Sequence, residues 1–164
     1  MRRLPLLLVT ALTSLALVIA PSAGATNRSG TETIRVYHQA VLPTSVQGSG
    51  VGTVRTFFIP IAVEGQTLTN PYLVGTLTTV ATGLSGNREI RTSNLAFVFG
   101  DEADQLVVGG ISYYPAEGAT LAPGTKTIRP VVGGSGRYDG ARGQVISTNL
   151  GANGWTHVFR IRLP

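Results

Sequence analysis

The chain has 164 residues, a formal charge of +5 and no cysteine, which removes disulfide frameworks, lipid-modified cysteines and thiolate metal sites from consideration. Its basic residues stand singly from Arg35 to Arg162, with Lys126 the sole lysine, and this spacing argues against the clustered basic face of a nucleic-acid binder. There is no Gly-x-Ser-x-Gly elbow, no His-Glu-x-x-His run and only two histidines, so serine hydrolase and zinc chemistry are set aside.

The N-terminus reads as a secretory signal: Arg2 and Arg3, an apolar run from Leu4 to Ala20, and a small-residue exit at Ala23-Gly24-Ala25, with cleavage expected after Ala25. Pro5, Thr10, Thr13 and Ser14 interrupt the run, making an uncleaved membrane anchor the minority reading. The expectation is a secreted, extracellular protein of residues 26–164, without stable membrane insertion once the signal is removed. That remainder is the size of one domain with its own core.

Beyond the signal, apolar and polar residues alternate with the period of two that belongs to strands, and no segment shows helical periodicity. Eight strands are predicted in chain order: Thr33 to Val41, Gly50 to Ile61, Tyr72 to Ala81, Glu89 to Phe99, Gln105 to Tyr114, Thr127 to Val132, Ala141 to Leu150 and Trp155 to Leu163. The last alternates most clearly, with Trp155, His157, Phe159, Ile161 and Leu163 on one face. Gly83 to Asn87 and Gly151 to Gly154 are the hairpin tips, the second with Asn153-Gly154 supplying positive φ. Pro115 to Gly124 is a longer loop suited to covering a barrel mouth. Short turns without crossover helices make neighbouring strands antiparallel, and about eight of them remove their edges by closing into a barrel. The fold expected is all-β, a single closed antiparallel eight-stranded barrel, with a two-sheet sandwich as the alternative.

From Leu95 onward the sequence becomes specific. Leu95-Ala96-Phe97-Val98-Phe99-Gly100-Asp101, Gln105-Leu106-Val107-Val108-Gly109-Gly110 and Arg129-Pro130-Val131-Val132-Gly133-Gly134-Ser135-Gly136-Arg137-Tyr138-Asp139-Gly140-Ala141-Arg142-Gly143 resemble the C-terminal half of a dirigent protein. The same stretch, running on into Gln144-Val145, is similar to the allene oxide cyclases, which share the barrel. Four glycines between Gly133 and Gly140 permit a turn closed to other residues; the plain reading is a structural turn. A phosphate loop is excluded, because a strand and not a helix follows.

The resemblance implies a cavity that restricts the geometry of a reactive substrate: phenoxy radical coupling in dirigent proteins, epoxide cyclisation in allene oxide cyclases. It places Arg142 at the pocket arginine of the dirigent Ala-Arg-Gly motif, the first candidate for a catalytic or ligand-binding role, against an outward arginine at a surface pair or subunit contact. Other expected catalytic groups are replaced. Phe58-Ile59-Pro60-Ile61 stands where dirigent proteins carry an aspartate pair, Leu95 or Phe97 where they carry a tyrosine. Tyr37 is followed by His38, and Ala40 stands in place of the cyclases' asparagine. His38 is the candidate substitute base, against a structural histidine; Tyr37, Tyr113 and Tyr114 are candidate ligand-binding hydroxyls, against tyrosines that contribute buried area. His157, beside Trp155 and Phe159, reads as packed. Asp101, Glu102 and Asp104 read as a solvated turn before a calcium site, since their spacing fits no complete ligand set.

The leading functional expectation is a secreted barrel that binds a small apolar or phenolic molecule and steers its cyclisation, isomerisation or coupling, or carries it. No metal and no organic cofactor is implied. Whether it is an enzyme stays open; an enzyme would be an isomerase or act in dirigent fashion. The alternative is a non-catalytic extracellular binding or envelope scaffold protein. Both families commonly form trimers, so a homotrimer or homodimer is the expected assembly. An open interior touched by Arg142, His38 or a tyrosine separates the first reading from the second.

Overall fold

The computed structural model describes residues 30–116 and 119–164. The signal segment and its cleavage point after Ala25 lie outside the described residues.

Eleven strands form in chain order: β1 (Gly30–His38), β2 (Ser45–Gln47), β3 (Val54–Pro60), β4 (Ala62–Val63), β5 (Tyr72–Leu84), β6 (Arg88–Phe99), β7 (Asp101–Val108), β8 (Ile111–Pro115), β9 (Lys126–Ser135), β10 (Arg142–Asn149) and β11 (Trp155–Leu163). The alternation that predicts strands also decides which side chains turn inward. In β6, Glu89, Arg91, Ser93, Leu95, Phe97 and Phe99 are buried, and in β11 so are His157, Phe159 and Ile161. Successive strand residues point to opposite faces, so each of these sets shares one side of the sheet.

The strands make one antiparallel sheet in the order β2-β3-β5-β6-β7-β9-β10-β11-β1-β4, with β8 also paired to β6. A single sheet replaces the two-sheet sandwich held as the alternative. It curls into a half-barrel, not the closed eight-stranded barrel expected from the pattern, and its path of pairings ends at β2 and β4. The extra strands have local causes. The predicted second strand, read to Ile61, ends as β3 at Pro60, which has no N–H to give to a ladder; Ile61 donates to the Pro71 carbonyl at 3.1 Å, and β4, beyond the predicted strand, pairs with β1 through Val36 and Val63. The predicted fifth strand divides at Gly109-Gly110 into β7, which pairs with both β6 and β9, and β8, which returns to β6. β2 lies in a segment read as loop.

The turns are also more particular than expected. At the β10–β11 tip, residues Gly151–Asn153 form a 3-10 turn, and Gly154, at φ +87°, carries the left-handed angle that Asn153 was expected to share. At the β5–β6 tip the expectation is met, with Asn87 at φ +50°. The glycine-bearing stretch after β9 is a 3-10 turn, Gly136–Tyr138. Its Tyr138 ring is fully buried against Phe99, centroids 4.9 Å apart. Asp101, Glu102 and Asp104, expected in a solvated turn, instead begin β7, and Asp104 holds this stretch in place, its Oδ1 accepting the Arg137 backbone N–H at 2.8 Å.

Candidate functional site

The inward faces of β3, β5, β6, β7, β8, β9, β10 and β11 do not fill the curl. They leave a cavity of about 530 Å³, walled by Leu73, Leu77, Leu95, Phe97, Val108 and Val145 among others. Two loops form its rim. One is Ala40 to Pro43, after β1; the other carries Thr120, Leu121 and Pro123, within the stretch expected to cover a mouth. This second loop is fastened from below, where Asn149 Nδ2 donates to the Leu121 carbonyl at 2.5 Å and Arg91 donates to the Ala119 carbonyl at 3.0 Å.

A polar cluster interrupts the apolar wall. Arg55 on β3, Arg91 on β6 and Arg129 on β9 are all buried and all line the cavity. Glu89, buried at 3% exposure, is the acid that meets two of them. It pairs with Arg91 Nε and lies 3.6 Å from Arg55, while Thr79 takes a hydrogen bond from Arg55 at 2.9 Å and donates to Glu89 at 3.4 Å. Arg91 also stacks over the Tyr114 ring, 4.1 Å from its centroid. Among the described residues Arg129 has only hydroxyl partners: it donates to Thr127 and to Tyr114 at 2.9 Å each, and its Nε–H has none.

Beside Arg129 lies a column of rings. His157 stacks on His38 with centroids 5.1 Å apart and meets Phe97 edge-on at the same distance. Its Nδ1 is bonded to Ser147 Oγ at 2.8 Å, and its Nε2 has no partner among the described residues. Burial pushes His157 well below the ordinary imidazole pKa, and the neighbouring His38 and Arg129 lower it further. His38 is lowered by burial too, opposed by its hydrogen bond to the Gln39 carbonyl. Both rings are therefore held toward the neutral form.

The sequence-predicted residues fall on two sides of the sheet. His38 and Tyr114 line the cavity. Arg142 is exposed, lies outside the lining, and donates to the Ala141 carbonyl at 2.8 Å. Tyr113, half exposed, lies under the Arg88 guanidinium on the outer face, and Tyr37 donates to Glu64 at 3.1 Å outside the cavity. Sequence reasoning passed over Arg55, Glu89, Arg91 and Arg129, and took His157 as packing alone. The missing signal was positional: Arg55, Glu89, Arg91 and His157 have the parity of their strand's apolar face, whereas in β9 the apolar Ile128 and Val132 are exposed and Arg129 turns inward with Thr127 and Val131.

No protein-family model matches the chain, and no curated protein matches it. Solved structures do share its fold. A pyocyanin demethylase is similar at a TM-score of 0.54 and 15% identity, over 82% of this chain and 100% of that one. A pterocarpan synthase dirigent protein is similar at a TM-score of 0.56 and 14% identity, over 94% of this chain and 98% of that one. The chain thus has the fold of the allene oxide cyclase and dirigent barrels.

Proposed function

We propose that this protein binds a small apolar or phenolic molecule inside the curled sheet and steers its cyclisation, isomerisation or coupling. The observation that carries the reading is the cavity, whose volume of about 530 Å³ falls within the usual range for small-molecule sites, with few polar groups in an apolar wall. A scaffold protein has no need of such a space, because an interior of this size can be filled by side chains. β4 follows β3 after one residue and reaches β1, and we take the chain itself to complete the half-barrel into a closed wall. The names of the two fold relatives each denote conversion of a small molecule, a pyocyanin in one case and a pterocarpan in the other.

In this reading the apolar wall excludes water and limits the poses open to the substrate. Tyr114, whose oxygen already accepts from Arg129, offers its own proton to a ligand oxygen. His157 and His38, held neutral, offer ring nitrogens and a stacking surface. We further propose that the domain is residues 26–164, that it acts outside the cell, and that it assembles as a homotrimer or homodimer.

Trp155 is the sole tryptophan of the chain and lines the cavity, so its emission reports occupancy. Titration with 2-naphthol and 2-naphthamide is expected to shift or quench that emission saturably, and Val145→Trp, which fills the space, is expected to abolish retention of both compounds in equilibrium dialysis. A flat response to both compounds, together with no small molecule retained by the unaltered protein from a cell extract, would sink the proposal.

A further inference from the structure

The cavity wall carries three guanidinium groups, Arg55, Arg91 and Arg129, and no carboxylate among its described residues. Glu89, the buried acid behind it among the described residues, is committed to Arg55 and Arg91. Arg129 is 4% exposed, meets no acid among the described residues, and keeps an unpartnered Nε–H. The unpartnered Nε2 of His157, 6% exposed, belongs to the same wall.

A buried guanidinium is costly unless an opposite charge meets it. Hydroxyl partners such as Thr127 and Tyr114 satisfy hydrogens but leave the charge whole. Among the described residues, three buried arginines face one buried acid, a surplus of two positive charges in a space whose other walls are mostly apolar, with Ser147, Asn149 and the two histidines among them. A low-dielectric surround strengthens the pull of that surplus on any anion that enters. A neutral phenolic guest would fill the volume and leave the charge unanswered; an apolar guest bearing one acidic group answers both.

Resting on the cavity reading above, we propose that the natural ligand is an organic anion, a carboxylic acid with an aromatic or aliphatic body, whose carboxylate is received at Arg129. The body lies against Leu77, Phe97 and Val145, and the carboxylate meets the charge that Thr127 and Tyr114 leave unanswered.

The test compares two probes of one shape, 2-naphthoate and 2-naphthamide, titrated at neutral pH into the full chain and read by Trp155 emission and calorimetry. Naphthoate is expected to bind at least about tenfold tighter, the scale of a hydrogen bond to a charged group. Arg129→Gln is expected to bring the ratio close to one. Arg35→Gln, at an exposed arginine paired with Glu64, removes the same charge from the surface and is expected to keep the preference. Equal or tighter binding of the amide by the unaltered protein overturns the proposal whether or not either variant folds, and leaves the cavity reading standing. Loss of the preference in Arg35→Gln overturns it as well. Failure of both probes to bind takes down the cavity reading together with it.

Discussion

Glu89 holds together groups that would otherwise repel. Arg55 and Arg91 come from separate strands, β3 and β6, and both reach the same carboxylate oxygen. Removing that charge while keeping its shape leaves two guanidinium groups buried without an acid, and the loss of one partner from a buried ion pair costs about 3 to 5 kcal/mol. Glu89→Gln is therefore expected to lower unfolding stability by that amount in urea denaturation, without a change in the slope that reports exposed surface. A loss below about 1 kcal/mol would mean that the pair behaves as a solvated one and that Glu89 does not hold the polar cluster together. Legibility at this scale was uneven. His38 and Tyr114 were picked out by residue type and do line the cavity, whereas Arg142 was picked out by its motif and stands exposed. Arg55 and Arg91, which do turn inward, lie in no motif, but Arg55 shares its parity with Phe57 and Ile59, and Arg91 with Leu95 and Phe97. A charged residue on the apolar parity of a strand is a locally visible anomaly.

At the scale of the element, the Ala-Arg-Gly run at the start of β10 has a packing reason. Ala141 is fully buried. At Gly143, opposite Ile161 of β11 and Val131 of β9, an added Cβ would collide with the Arg160 carbonyl oxygen. Backbone would have to move, since no flexible side chain is there to yield. Gly143→Ala is thus expected to cost about 3 kcal/mol, at the upper end of ordinary substitutions. Gly30→Ala, where an added Cβ meets nothing within 4 Å, is expected to stay within about 0.5 kcal/mol. Thermal denaturation of the two variants side by side measures the difference, and equal melting points would show that no close approach constrains Gly143. Strand existence was readable because alternation is written residue by residue; β11 begins and ends where the pattern does. Breaks were harder. The strand read to Ile61 stops one residue from the end of β3, but nothing in Ala62-Val63 marks the two-residue β4 that pairs with β1.

For the whole molecule, the ring column ties stability to pH. The pKa of His157 is depressed in the folded state by burial first, then by His38 and Arg129, so the unfolded chain binds its proton more readily. The unfolded imidazole takes its proton near about pH 6.5, and the folded one only well below. The stabilising contribution is therefore complete above about pH 6.5 and is lost progressively as the pH falls toward the depressed folded value. His38, stacked against it and also lowered by burial, adds a contribution of the same sign. Urea denaturation between pH 7.5 and 5 is expected to show falling stability in the unaltered protein and a clearly shallower fall in His157→Gln. Parallel curves would show that this ring is not the group responsible.

Local pattern was enough for an all-β chain, for the antiparallel sense of its strands and for the inward face of β11, because these follow from backbone sterics and from neighbours a few positions apart. Tertiary structure alone decided that the sheet curls as a half-barrel of eleven strands, that its interior stays open, and that arginines from β3, β6 and β9 meet there. Those outcomes depend on the summed volumes and charges of side chains that lie far apart along the chain, and no local pattern carries that sum.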